Sequence, residues 1–148
     1  MSDAILRFRG ETLYLDNFYP CNVEYEGMIY PSAEHAFQAA KTLDMNIRKR
    51  FQNYDTPKKA KQAGRRLKLR SDWEEVKIPI MKEIVKNKFF RNDAEQDIRA
   101  LLLATGDAHL EEGNQHGDRF WGTLKGEGQN WLGKILMEVR SEIREEMQ

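Results

Sequence analysis

Apolar positions change their period partway along the chain. In the first 30 residues they alternate loosely, as half-buried strands do, in Ile5-Leu6-Arg7-Phe8, Val23-Glu24-Tyr25 and Met28-Ile29-Tyr30. Glu26-Gly27 predicts a tight turn between the last two. Past Pro31 the spacing becomes helical. Ser32 suits an N-cap for a helix over 33–43, with Ala33, Ala36, Phe37 and Ala40 on one apolar face. Thr56-Pro57 pairs an N-cap with proline at the first helical position, and Gly64 weakens that helix without having to end it. Ser71-Asp72-Trp73-Glu74 has capping-box spacing, and Pro79 predicts a kink or break before a helix over 80–90. Asp93 with Gln96 predicts a further helix through Leu101, Leu102 and Leu103, stopped by Gly106. A glycine-rich connection over 109–128 follows, with a short strand near Leu110. The last helix covers 130–145, with Leu132, Ile135, Leu136, Val139 and Ile143 at helical spacing. The expected fold is mainly α, with a few short N-terminal β-strands, in one domain over 1–148.

Composition narrows the class. A length of 148 residues, 40% hydrophobic and 32% charged, suits one compact globular domain. No apolar run approaches the roughly 20 residues of a membrane helix, and Met1 to Arg7 lack the apolar core of a secretory signal. Cys21 is the only cysteine, so no internal disulfide can form and a reducing, cytoplasmic setting is expected. With three scattered histidines (His35, His109, His116) it offers no metal-ligand spacing, so neither a metal nor a cofactor is expected. The 24 basic and 24 acidic side chains cancel. Locally they do not: Lys58, Lys59, Lys61, Arg65, Arg66, Lys68 and Arg70 form a run with no acid among them. Such a run can hold phosphates, and it also fits an ordinary solvated face.

Three stretches carry candidate chemistry. Tyr30-Pro31-Ser32-Ala33-Glu34-His35-Ala36-Phe37-Gln38-Ala39-Ala40-Lys41 puts Glu34 in the first turn of its helix, with Gln38 and Lys41 on the same stripe. A carboxylate, an amide and an ammonium in line suit water, a ribose hydroxyl and a phosphate. Gly117-Asp118-Arg119-Phe120-Trp121-Gly122 places an indole and a second carboxylate in a glycine-rich loop, where a ring can stack on a base or plug a core. Trp73 follows the basic run and reads as either a stacking platform or a core anchor. Walker, Rossmann and His-Glu-x-x-His motifs are absent from the sequence.

These segments resemble the YbiA-like (NADAR) family, linked to NAD and ADP-ribose. The resemblance runs from Asp16-Asn17-Phe18-Tyr19-Pro20 through the Tyr30 to Lys41 segment, Leu69-Arg70-Ser71-Asp72-Trp73-Glu74 and Asn87-Lys88-Phe89. It continues in Leu101-Leu102-Leu103-Ala104-Thr105 and Asp118-Arg119-Phe120-Trp121-Gly122, and closes with Gly128-Gln129-Asn130-Trp131-Leu132-Gly133-Lys134-Ile135-Leu136-Met137. It implies a YbiA-like helical fold and N-glycosidic chemistry. The family's glutamate falls on Glu34, and its tryptophan after the basic segment falls on Trp73. Its aspartate and tryptophan before the glycine-rich loop fall on Asp118 and Trp121.

Together the residue pattern and the resemblance lead to expected catalytic roles for Glu34, Asp118 and Lys41. They lead also to expected substrate binding by Asn17, Phe18, Tyr30, Gln38, Arg70, Trp73, Lys88, Trp121, Gly122 and Asn130, with Lys41, Lys88 and the 65–70 run meeting phosphates. Lys41 has a second expected role, attack on an opened sugar to form a Schiff base. The expected substrate is nucleotide-like, ADP-ribose or a ribose phosphate joined to a base. Foremost is ADP-ribosyl-guanine in DNA, as left by a DarT-type toxin, with the basic run meeting the modified DNA. Riboflavin-linked members carry aspartates in this loop; here Thr123 replaces the first of them and Lys125 adds a positive charge, which weakens the riboflavin reading and suits a more anionic substrate. The alternatives are phosphorylated ribosylamino-pyrimidine intermediates of riboflavin synthesis, a non-catalytic ADP-ribose or NAD binder, and a nucleic-acid binder using the basic run. Oligomeric state is left open.

Overall fold

The computed structural model describes residues 3–148. The part of the leader reading that rests on Met1 and Ser2 therefore lies outside the described residues. The chain divides into two compact units, residues 17–95 and residues 3–16 with 96–148.

The first unit opens with an antiparallel hairpin of β1 (Pro20–Tyr25) and β2 (Met28–Ser32). Cys21, Val23 and Tyr25 are buried while Asn22 is exposed, as the two-residue strand period requires. Glu26 and Gly27 form the expected turn, both at positive φ (47° and 82°), the twist that suits a two-residue hairpin. A left-handed glutamate is unfavourable by itself. The Glu26 carboxylate lies 3.5 Å from the Arg48 guanidinium, a cation only 2% exposed that also donates to Thr42 O and covers the Tyr25 ring.

Helix α1 (Ala33–Ala39) starts where expected, with Ser32 Oγ accepting the His35 N–H. It ends four residues sooner than the pattern suggests, and the carbonyls just past its end find other partners. Arg70 Nη1 donates to Ala40 O, the Arg70 N–H to Lys41 O, and Arg48 Nε to Thr42 O. Helix α2 (Met45–Phe51) is capped by Asp44. Helix α3 (Pro57–Gly64) is capped by Thr56 as expected but stops at Gly64. There the chain tightens into turns and then extends, so that Arg70 reaches Lys41.

Helix α4 (Trp73–Arg91) runs unbroken through Pro79, where a kink or break is predicted. Pro79 lies in the second turn and removes one backbone bond. Burial of Ile80, Met81, Ile84, Val85 and Phe89, with packing on β1 and α1, outweighs that loss. The predicted capping box does not form either. Asp72 is the N-cap but makes no side-chain cap bond, because Arg70 occupies its carboxylate.

The second unit holds a 3₁₀ helix (Gly10–Leu15), α5 (Ile98–Ala104), β3 (Gly113–Asn114), β4 (Thr123–Leu124) and α6 (Trp131–Glu146). The predicted first strand reduces to a bridge from Ile5 to Leu110, with Ile5 bonding His109 O and the Glu111 N–H. Helix α5 is capped by Asp97 rather than Asp93, whose carboxylate is taken by Arg91 and Asn22 in the other unit's own sequence. Inside the second unit Arg140, 5% exposed, donates to Thr105 Oγ1 and Ala108 O and so ties α6 to the end of α5. Among the described residues no helix is long and apolar enough to cross a membrane.

His35 shows how α1 is fastened. Its ring is 1% exposed; Nδ1 meets Ser32 Oγ at 2.7 Å and Nε2 meets Tyr54 O at 2.9 Å. A neutral ring accepting from serine and donating to the carbonyl satisfies both contacts. Burial lowers its pKa from the ordinary 6.5, against a smaller upward pull from the Tyr54 carbonyl. The unfolded chain therefore binds the proton that the folded one refuses. Stability from His35 is complete above pH 6.5 and is lost as pH falls toward the folded value. Urea titrations across this interval should give falling stability with acidification, and His35→Gln should flatten that slope.

Candidate functional site

Glu34 is held from both ends. Its N–H donates to Asn17 O at 3.0 Å, and its Oε2 accepts from Gln38 Nε2 at 2.7 Å. The residue is 8% exposed, so its carboxylate is largely removed from water. The spacing of four residues on α1 stacks Gln38 over Glu34 as expected. Gln38 Oε1 is buried with no hydrogen-bond partner among the described residues and lies directly over Gly64 of α3. A side chain at Gly64 would overlap that oxygen. The glycine is there for close approach, and an isolated glycine within a helical pattern is the sequence signal for it.

Lys41 lies past the end of α1, in the turn made by its N–H on Gln38 O, rather than on the helical stripe itself. Its pKa is lowered chiefly by burial. The Glu34 carboxylate pulls it back up, and Arg65 and Lys61 push it down further. A larger share of the amine is thus in the neutral, nucleophilic form at a given pH than for a solvated lysine.

The neighbours are fixed by a few strong contacts. The Arg70 guanidinium grips Asp72 through two bonds, 2.7 Å and 3.1 Å, which hold its pKa up and that of Asp72 down. Trp73 is 6% exposed and packs against Phe37 at 5.2 Å, with the rings tilted by 52°. Asn17 donates to Met81 Sδ and leaves its own Oδ1 buried without a partner among the described residues. The Phe18 ring lies under the Lys61 ammonium at 5.9 Å. Tyr30 is buried, donates to Met28 Sδ, and has its pKa raised by burial. Lys88 is also buried, its ammonium 5.1 Å from the Phe89 ring and 5.6 Å from that of Tyr19. Cys21 is buried, and burial raises its thiol pKa.

In the second unit, Asp118 Oδ1 accepts the N–H groups of Phe120 and Trp121, at 3.0 Å and 2.9 Å. That pins the half-buried Trp121 indole, which packs edge-on against Phe120. Asn114 crosslinks the same loop: its amide donates to Asp118 O and accepts from the N–H groups of Gly117 and Asp118. Asn130 spends its side chain on Leu110 O and the Glu112 N–H, while its own N–H bonds Gly122 O. Gly122 has no room for a side chain against Glu112 and Asn114. Thr123 is buried and donates to Glu111 Oε2 at 2.7 Å. The Thr123 hydroxyl therefore answers to Glu111, which would repel a carboxylate placed at the same position. Neither the Asn130 clamp nor the Thr123–Glu111 pair is visible in the local pattern, since each joins residues 12 to 20 apart.

The NADAR domain family model matches residues 7–144. N-glycosidase YbiA of Escherichia coli is 38% identical over 97% of this chain and 91% of its own. An N-glycosidase of Nostoc punctiforme is 40% identical over 86% of this chain and 83% of its own. A riboflavin biosynthesis protein of Vibrio vulnificus is 38% identical over 89% of this chain, and the chain spans 36% of that relative's length. The NMR structure of Escherichia coli YbiA superposes with a TM-score of 0.85 at 35% identity, over 99% of this chain and 89% of the other. One solved chain thus matches across both units, in the mainly helical fold expected. The chain belongs to the NADAR domain family.

The Gly64 contact makes a direct test. Gly64→Ala gains up to about 1 kcal/mol of helix propensity, yet overpacking costs about 1–3 kcal/mol. The substitution should lower the melting temperature, and Gln38→Ala in the same chain should remove most of that loss. Strictly additive effects of the two changes in denaturant titrations would contradict the contact.

Proposed function

We propose that this chain is an N-glycosidase, hydrolysing the bond between a ribose C1′ and the nitrogen of its base. The observation that carries the reading is the Glu34 carboxylate, largely desolvated and fixed by Gln38, with the downshifted Lys41 amine in its field. As the base leaves, C1′ gains positive charge, and a pre-oriented carboxylate in a dry setting stabilises it. Glu34 then takes a proton from the attacking water, whose hydroxyl adds to C1′ while the departing nitrogen is protonated. The names of the Escherichia coli and Nostoc punctiforme relatives support this class of reaction.

A second route is supported by Lys41. Its amine attacks C1′ as the base nitrogen departs and takes up a proton. The ring oxygen is released as a hydroxyl to leave a Schiff base, and water then hydrolyses that to the free sugar and the amine. Asp118 serves chiefly by fixing Trp121 as a stacking ring. Its Oδ2, without a partner among the described residues, keeps an acid–base capacity. Asn17 supports the Glu34 backbone. Arg70, Trp73 and Tyr30 act as the frame around the substrate contacts. We place the reaction in the cytoplasm, in keeping with a single, buried cysteine.

Two substrate classes fit. Phosphorylated ribosylamino-pyrimidines are supported by the names of the Vibrio vulnificus and Zea mays relatives, both riboflavin biosynthesis proteins. ADP-ribosyl-guanine in DNA is supported by the exposed Lys125, held at φ 52°, and by the acid-free 58–70 run. Thr123 no longer weighs for the second class, since Glu111 accounts for it.

Offered both substrates, the purified chain should release free base from one, and Glu34→Gln should lower that rate at least about 100-fold while the protein still melts cooperatively. Full turnover by the variant would end the assignment. Borohydride added during turnover should leave a reduced adduct on Lys41 if the amine route operates, and its yield should rise with pH through a midpoint below that of an ordinary lysine. No adduct leaves water attack as the route.

A further inference from the structure

The part of the second unit that carries Trp121 holds more aromatic surface than the proposed site uses. Four backbone bonds lay residues 129–132 along residues 119–122. They run from Gln129 N–H to Arg119 O (2.7 Å), Asn130 N–H to Gly122 O (3.2 Å), Trp131 N–H to Phe120 O (3.1 Å) and Leu132 N–H to Trp121 O (2.9 Å). They join three rings into one cluster. Phe120 meets Trp121 edge-on at 4.8 Å and Trp131 at 6.5 Å, the second pair tilted by 33°.

Trp131 opens α6 but takes no part in the buried face of that helix, which Leu132, Ile135, Leu136, Val139 and Ile143 make up. Its indole is half-buried, and surface groups set its orientation. Its Nε1–H donates to the exposed Gln129 Oε1 at 2.9 Å, and the exposed Lys134 ammonium lies 4.7 Å from its ring centre. An indole fixed in this way is prepared for a planar guest, since little further ordering has to accompany binding. A flexible, solvated lysine is no barrier to one. Base–aromatic stacking is stronger than an exposed cation–π contact, so a nucleobase displaces Lys134 from the ring. Arg119 and Lys125 are exposed on the same stretch, where Glu127 is the one acid among residues 119–134. That charge balance suits a nucleotide better than a neutral aromatic compound.

We propose that Trp131, with Phe120 beside it, is a second stacking position, which takes an unpaired nucleobase other than the one released. The inference rests on the stacking role given to Trp121 in the proposed site and deepens it. It makes the substrate a ligand with two aromatic ring systems, which a ribosylamino-pyrimidine monophosphate is not. The second ring is either the adenine end of an ADP-ribosyl group or the neighbouring base on a single strand.

Equilibrium titrations of the whole chain with ribose 5-phosphate, adenosine 5′-monophosphate and a single-stranded oligothymidylate test it. At least one of the two ring-bearing probes should bind, and Trp131→Leu should weaken it at least about fivefold, the low end for one base–aromatic stack. Trp131→Phe should keep most of that affinity. Ribose 5-phosphate lacks a ring and should change less than about twofold in either variant. Loss for adenosine 5′-monophosphate marks the adenine source. Loss for the single strand, absent from its duplex with oligoadenylate, marks the neighbouring base. A melting curve checks that each variant is folded, and the wild type supplies a readout of its own. The chain has three tryptophans, and the indole N–H resonance that disappears in Trp131→Phe should shift when the bound probe is added. An unmoved Trp131 resonance, equal affinities of wild type and Trp131→Leu for both ring-bearing probes, or no binding of either probe overturns the stacking position. Nucleobase binding at Trp131 without base release by the wild type would instead remove the glycosidase reading and leave this position standing.

Discussion

A carboxylate taken out of water needs polar partners to hold it, and the Glu34–Gln38 bond is where this structure supplies one. The bond spends the amide's donor end on the carboxylate and turns its acceptor end toward α3. That acceptor end finds no donor among the described residues, a loss of about 1–3 kcal/mol in a typical buried site. It is tolerated because Gly64 lets the two helices close around it. One polar pair thus decides the residue type at a third position, on another helix, and decides how near that helix and its lysines come.

The segments around this pair are stitched mainly by arginines. Arg70 binds the carbonyls of Ala40 and Lys41 and the Asp72 carboxylate, so the end of α1 and the start of α4 share one guanidinium. Arg48 does comparable work for the β1–β2 turn and the segment after α1. In the other unit two asparagines take this part. Asn114 and Asn130 hydrogen-bond backbone groups across the loop that carries Asp118 and Trp121. A loop with little apolar burial of its own is ordered by satisfying its backbone polar groups.

Local signals were legible wherever a side chain acts on its own backbone neighbours. The Ser32 and Thr56 caps, the Glu26-Gly27 turn and the helical period of the last segment all appear in the structure. Glu34 and its stripe with Gln38 followed from the same kind of reasoning. The differences share one cause, competition from other partners. Ser71 and Asp93 have the residue type and spacing of caps, but Asp72 takes the N-cap of α4 with its carboxylate held by Arg70, and Arg91 holds Asp93. Pro79 ought to interrupt a helix, yet the apolar face beyond it is buried too well to let go. Lys41 leaves the helix because Arg70 takes its carbonyl. The roles of Gly64 and Thr123 depend on atoms more than ten residues away, which no local period encodes.

The β1–β2 turn carries a trade that matters to anyone redesigning this chain. Glycine or asparagine would suit the left-handed backbone at position 26 better than glutamate does. Either would also strip the nearly inaccessible Arg48 of its only carboxylate among the described residues. An intrinsically poor turn residue is kept as a counter-ion. Consensus turn statistics applied at this site would relax the hairpin and strand a positive charge in the interior.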